Sequence, residues 1–169
     1  DAQVVQILSN KSTAKVLERA NNLKISAFSF NRSAFYDTDQ VLNLVKATQP
    51  DLIVLAGFLW LFPQNIIEAY PGKIINIHPS LLPSFPGPQP YRQAYEHGVK
   101  IAGVTAHFVS MQLDEGPVIA QESFNVNPGW TLKRIVAEGQ KREAKILLKA
   151  VKIYLTKRLD VHWGVVKEV

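Results

Sequence analysis

The chain has no cysteine among its 169 residues. That removes disulfides, thiolate nucleophiles and zinc–thiolate sites together. It has no run of eighteen or more apolar residues, which excludes a transmembrane helix. Its first residues, Asp1-Ala2-Gln3, lead straight into a strand-like stretch without a signal-peptide pattern. These absences lead to the expectation of a cytoplasmic protein. No Walker sequence and no G-x-G-x-x-G occurs, so a nucleotide fingerprint is lacking. No G-x-S-x-G elbow marks a serine hydrolase.

What is present fits one compact domain over residues 1–169, with 47% hydrophobic residues to fill a core. The net charge is +5 and the pI about 9.5, a balance that invites a nucleic-acid reading. Nine of the nineteen basic residues, however, fall between positions 133 and 158. There Ala144, Leu147, Leu148, Val151, Tyr154 and Leu155 repeat at helical spacing, with Lys141, Lys145, Lys149 and Lys152 on the other side. The basic residues therefore read as the solvated face of an amphipathic helix. An anionic small-molecule substrate would also gain from such a field. No recognition-helix, ribonucleoprotein or zinc-finger signature supports a nucleic-acid partner, and no membrane partner is expected.

Strand and helix patterns alternate. Strands are expected at 3–8, 24–30, 52–56, 73–78, 101–109, 118–124 and 161–166. Helices are expected at 13–22, 34–48, 63–70, 91–97 and 131–157, with a proline-rich stretch at 83–90 and Gly139 a weak point in the last helix. The order argues for an α/β fold with a mainly parallel sheet covered on both faces.

The most informative run is Lys73-Ile74-Ile75-Asn76-Ile77-His78-Pro79-Ser80-Leu81-Leu82-Pro83. Its isoleucines read as a buried strand, which Pro79 ends by withholding a backbone donor. Side chains alternate along a strand, so Asn76 and His78 share a face at its carboxyl end, where open α/β sheets place ligands. An amide donor beside an imidazole suits a carbonyl whose oxygen gains negative charge. Leu113-Asp114-Glu115-Gly116-Pro117 reads as a turn in which Gly116 allows a tight bend. Its functional reading has Asp114 facing His78 and raising the fraction that carries a proton. His107 reads as a satisfied core histidine and His97, before Gly98, as a helix C-cap. His78, His107 and Asp114 follow no metal-ligand spacing, so no metal is expected.

Asn76-Ile77-His78-Pro79-Ser80-Leu81-Leu82-Pro83-Ser84-Phe85, with His107-Phe108-Val109 and Leu113-Asp114-Glu115-Gly116-Pro117-Val118-Ile119, resembles the folate-dependent formyltransferases. Leu8-Ser9-Asn10-Lys11, residues 28–36 and Leu55-Ala56-Gly57-Phe58 fit as well. The resemblance is strongest to the members that formylate phosphoribosyl-glycinamide in purine synthesis, with 10-formyltetrahydrofolate as co-substrate. It implies a Rossmann-like three-layer sandwich and a catalytic trio of Asn76, His78 and Asp114. It also implies that the pterin lies along Leu55, Phe58, Leu59, Trp60 and Leu61 and the loop of Leu113, Glu115 and Gly116. Gly57, Pro79 and Glu143 would meet the ribonucleotide, and Arg32 the folate tail. The oligomeric state implied is monomer or homodimer.

Two departures accompany the resemblance. The family's usual first strand, phosphate-cradling loop and helix, roughly 20–25 residues from average element lengths, do not occur in this sequence, so either they precede Asp1 or the protein lacks them. Trp60 stands where the family often has a cation, and an aromatic ring can pack on the pterin instead. The competing expectation is a formyltetrahydrofolate deformylase, to which residues 90–100 are similar. A third is a non-catalytic folate-binding relic.

Overall fold

Parallel strand pairing opens the chain in the computed structural model, which describes residues 2–168. The residues group into two compact units. One runs up to Asp51 and includes Pro63–Ala69; the other comprises Leu52–Phe62 and the residues from Tyr70 onward.

In the first unit, β1 (Gln6–Ser9) pairs parallel with β2 (Ser26–Ser29), joined through α1 (Lys15–Asn22). The helix expected over 34–48 is two helices, α2 (Arg32–Tyr36) and α3 (Gln40–Thr48). Side-chain competition with the backbone explains the break. Asn31 caps α2 by accepting from the Ala34 N–H at 2.8 Å. The Thr38 hydroxyl donates back to the Ala34 carbonyl at 3.2 Å and accepts from the Gln40 N–H at 3.3 Å. Together with α4 (Gln64–Ala69), these helices bury Ala34, Phe35, Val41, Leu42, Val45 and Ile66.

The second unit is built on a four-stranded sheet in the order β3 (Ile53–Leu55), β4 (Ile74–His78), β5 (Ile101–Phe108), β6 (Val118–Asn125). The parallel pairing expected from the element order holds for β3 and β4. Beyond β4, β5 and β6 extend the sheet antiparallel. Ile75 and Ile77 on β4 share a face with Val104, Ala106 and Phe108 on β5, packed with Ile146 and Ala150 of α6 (Leu132–Thr156). Each buried side chain of this size contributes roughly 1.5–3 kcal/mol. The alternate residues, Asn76, His78, Thr105 and His107, therefore occupy the opposite face. The apolar face thus fixes the register that puts the polar residues together, since a one-residue slip would exchange the two sets.

Helix α6 buries Ile135, Gly139, Ile146 and Ala150, whereas Ala144, Leu148 and Leu155 of the expected stripe are exposed. Gly139 also makes room for a neighbour: a Cβ there would lie 1.9 Å from the Tyr91 hydroxyl of α5 (Pro90–Glu96). The strand expected over 161–166 is the hairpin of β7 (Leu159–His162) and β8 (Val165–Glu168). Trp163 and Gly164 turn it with φ of 52° and 73°, the two positive values that a type I′ turn requires.

Candidate active site

The register of β4 against β5 sets Asn76 opposite His107 and His78 opposite Thr105. Pro79 then ends β4, and the Ser80 N–H folds back to the His78 carbonyl at 2.9 Å. His78 lies between two acceptors. Its Nε2 meets the Phe85 carbonyl at 2.9 Å and its Nδ1 meets Asp114 Oδ2 at 3.3 Å. Both the His78 and Asp114 side chains are only 7% exposed. A neutral imidazole donates from one nitrogen only, so the doubly protonated ring alone can donate to both acceptors. That form places a positive charge beside the Asn76 amide.

Asp114 is held from the proline-rich segment as well, since its Oδ2 accepts from the Gly87 N–H at 2.8 Å. Its own backbone is left-handed, with φ of 56°, a conformation that aspartate tolerates better than most residues. The chain bends at Gly116 as expected, and a turn at Leu113 and Asp114 precedes it. Gly116 is small for another reason: a Cβ would lie 1.7 Å from the Phe108 carbonyl oxygen. This close approach sits beside a β-bulge, where the β5–β6 register shifts between Ala106 and His107.

His107 is buried and satisfied, as its sequence context predicts, but it also touches the site. Its Nδ1 meets the Phe108 carbonyl at 2.8 Å, and its Nε2 lies 3.4 Å from Asn76 Nδ2. Burial holds its pKa below the usual imidazole value, against the opposing pull of the Phe108 hydrogen bond and the Asp114 charge. The neutral ring with its proton on Nδ1 fits these contacts: Nδ1–H donates to Phe108, and Nε2 accepts from Asn76. The 3.9 Å approach of Asp114 Oδ1 to Nε2 is then no ion pair. Asn76 is thereby oriented, with its second N–H left for a ligand. Strand alternation places His107 on this face, but alternation alone does not reveal its cross-strand partner.

The remaining predicted positions are dispersed. Leu55 closes β3, and Gly57 follows with φ of 65° in open space. Phe58 packs edge-on against Trp60 and Phe62, while Leu59 and Leu61 are 89% and 60% exposed. Leu113 and Glu115 are exposed, and Pro79 is half-buried directly after His78. The Glu143 carboxylate accepts from the Tyr91 hydroxyl at 2.6 Å. Burial and that carboxylate push the Tyr91 pKa up. Arg32, in the first unit, stacks its guanidinium over Tyr36 at 5.2 Å. Among the described residues no cluster of three His, Cys, Asp or Glu side chains is arranged to hold a metal. None of the described helices is long and apolar enough to cross a membrane.

An amide and an imidazole at the carboxyl end of a buried strand, with a carboxylate against the imidazole, are groups that suit acyl transfer. The chain belongs to the formyl transferase family, whose N-terminal domain model matches residues 1–151. Family members are folate-dependent enzymes that use 10-formyltetrahydrofolate. The chain is 40% identical over 151 residues to the phosphoribosylglycinamide formyltransferase of Bacillus subtilis, covering 86% of this chain and 76% of that protein. It is 35% identical over 163 residues to the formyltetrahydrofolate deformylase of Escherichia coli K12, covering 96% of this chain but only 58% of that protein. Among solved structures, glycinamide ribonucleotide transformylase 1 from Symbiobacterium toebii superposes with a TM-score of 0.93 at 35% identity, over 99% of this chain and 81% of its own. The deformylase from Pseudomonas syringae gives a TM-score of 0.92 at 30% identity, over 99% and 57%. The fold is thus the Rossmann-like α/β fold of these neighbours.

Proposed function

We propose that this chain transfers the formyl group of 10-formyltetrahydrofolate to the amine of phosphoribosyl-glycinamide, as a single catalytic domain working in the cytoplasm. The observation that carries the reading is the buried pairing of His78 with Asp114, with Asn76 on the same face of β4 and held there by His107. The acceptor nitrogen attacks the formyl carbon, forming a C–N bond and a tetrahedral intermediate with an oxyanion. The free N–H of Asn76 and the imidazolium of His78 stabilise that oxyanion. Asp114 holds the imidazolium and helps move the proton lost by the attacking amine, through water, towards N10 of the folate. Collapse breaks the bond to N10, releasing the formamide product and tetrahydrofolate.

In this reading the pterin lies along Leu55, Phe58, Leu59, Trp60 and Leu61 and the loop of Leu113, Glu115 and Gly116. The exposed Leu59 and Leu61 side chains supply apolar area that a bound ring would cover. Gly57, Pro79 and Glu143 meet the ribonucleotide.

A second reading, hydrolysis of formyltetrahydrofolate with water as acceptor, is favoured by one observation: deformylases match this chain at identities close to those of the transferases. Isothermal titration with a folate analogue and with phosphoribosyl-glycinamide tests the choice. Binding of both is expected for the transferase. Binding of the folate alone would contradict it, and is the outcome expected of a deformylase or a non-catalytic folate binder.

A further inference from the structure

One cross-strand row links the site to a residue that never touches it. His78 on β4 is the register partner of Thr105 on β5, and Thr105 is the register partner of Gln121 on β6. The Thr105 hydroxyl, fully buried, donates to the Ser80 carbonyl at 2.7 Å. It accepts from the Leu82 N–H at 3.1 Å and from Gln121 Nε2 at 2.8 Å. The second N–H of Gln121 donates to the Leu82 carbonyl at 3.0 Å. Both backbone polar groups of Leu82 are therefore clamped from the sheet. The hydroxyl's one donor and two acceptor positions are all used.

From that root the segment runs to Phe85 and Gly87, stiffened by the Ser80 hydroxyl on the Ser84 carbonyl at 2.5 Å. Phe85 and Gly87 both have positive φ, 54° and 81°, a conformation that a non-glycine residue keeps only where its surroundings enforce it. The Phe85 carbonyl then meets His78 Nε2, and the Gly87 N–H meets Asp114 Oδ2. One segment thus holds both the imidazole and the carboxylate, and its root is fixed by a side chain two strands away.

We propose that Gln121 is a positioning residue for the His78–Asp114 pair, acting through Leu82 and Thr105. The inference rests on the assignment of that pair as catalytic. Gln121 is itself exposed, so its substitution opens no cavity in the apolar core and removes only the hydrogen bonds to Thr105 and Leu82.

Two variants test it. Gln121→Met keeps the length without the donors, and Gln121→Glu keeps the shape while replacing the amide N–H groups. Turnover is expected to fall about tenfold or more in both, with the KM of each substrate little changed, as for a misplaced reacting group. Nitrogen-15 NMR of labelled histidine gives a readout independent of turnover. The His78 Nε2 resonance should shift in both variants while the His107 Nδ1 resonance stays in place. Wild-type turnover together with an unmoved His78 resonance would overturn the inference. So would a loss of turnover that follows a falling melting temperature while the His78 resonance stays fixed. A wild-type protein without formyl-transfer or hydrolytic activity would overturn the catalytic reading instead, and the His78 resonance would still decide the role of Gln121.

Discussion

His78 Nδ1 faces Asp114 Oδ2 across 3.3 Å, with both side chains nearly excluded from solvent. The distance exceeds the 2.7–2.9 Å typical of a tight charged hydrogen bond, and such contacts often tighten only once a ligand is bound. The same carboxylate oxygen accepts from Gly87, so its position is fixed by the fold as well as by the imidazole.

Charge and conformation at position 114 can be separated. Asparagine tolerates the left-handed backbone of Asp114 and keeps an oxygen for the Gly87 N–H. Asp114→Asn should therefore fold with a near-native melting temperature while turnover drops by about a hundredfold or more, the lower range for acid–base and oxyanion groups. His78→Ala should cost at least as much. Near-normal steady-state rates in Asp114→Asn would remove the carboxylate from the mechanism.

His107 gives a pH signature in stability. Burial lowers its folded-state pKa below the unfolded value of about 6.5. Between the two values the unfolded chain binds more protons, so stability rises with pH in that window. The contribution is complete above about 6.5 and is lost as the pH falls toward the folded value. Melting temperatures measured from pH 7 down to pH 5 should fall in the wild type, and less steeply in His107→Gln. Parallel curves would show that His107 is not the group being titrated.

Two glycines should respond differently to alanine. At Gly116 the new Cβ would collide with the Phe108 carbonyl, so Gly116→Ala should destabilise by about 1–3 kcal/mol or more and disturb the loop that carries Asp114. At Gly57 the space is open and only the positive φ resists, a cost of roughly 1–2 kcal/mol. Chemical denaturation of both variants, alongside turnover, would distinguish the two. Unchanged activity in Gly116→Ala would contradict the close-approach argument.

The basic face of α6 should be dispensable for chemistry. Lys145 pairs with Glu122 at 2.9 Å, and Glu138 gathers Lys141, Arg142 and Arg134. The Lys145–Glu122 pair, with its lysine largely exposed, is worth roughly 0–1 kcal/mol. A Lys145→Ala, Lys149→Ala double variant should retain wild-type kcat. A large loss in that variant would make this face part of the site.

The shared face of Asn76 and His78 was legible because a strand alternates with a period of two, and the isoleucines identify the strand. His107 was legible as a buried histidine, yet its contact with Asn76 depends on the register between strands far apart in sequence. The clamp from Gln121 was illegible for a related reason. It works through backbone groups of Leu82, Phe85 and Gly87, which no side-chain pattern encodes. The break between α2 and α3 escaped periodicity because a local Thr38 hydroxyl overrides it. On α6, Leu147 and Tyr154 of the expected stripe do pack against the core around Ile146 and Ala150, and only packing against Tyr91 and the sheet selects the face containing Gly139. Trp163 concealed the final turn, since an aromatic residue seldom occupies a positive-φ position.

The most direct measurement follows formylated product and free formate together, with 10-formyltetrahydrofolate in the presence and absence of phosphoribosyl-glycinamide. Formylated ribonucleotide should accumulate with the acceptor present, and little formate should appear without it. Formate release at the same rate regardless of acceptor would contradict the transferase and assign the site to hydrolysis.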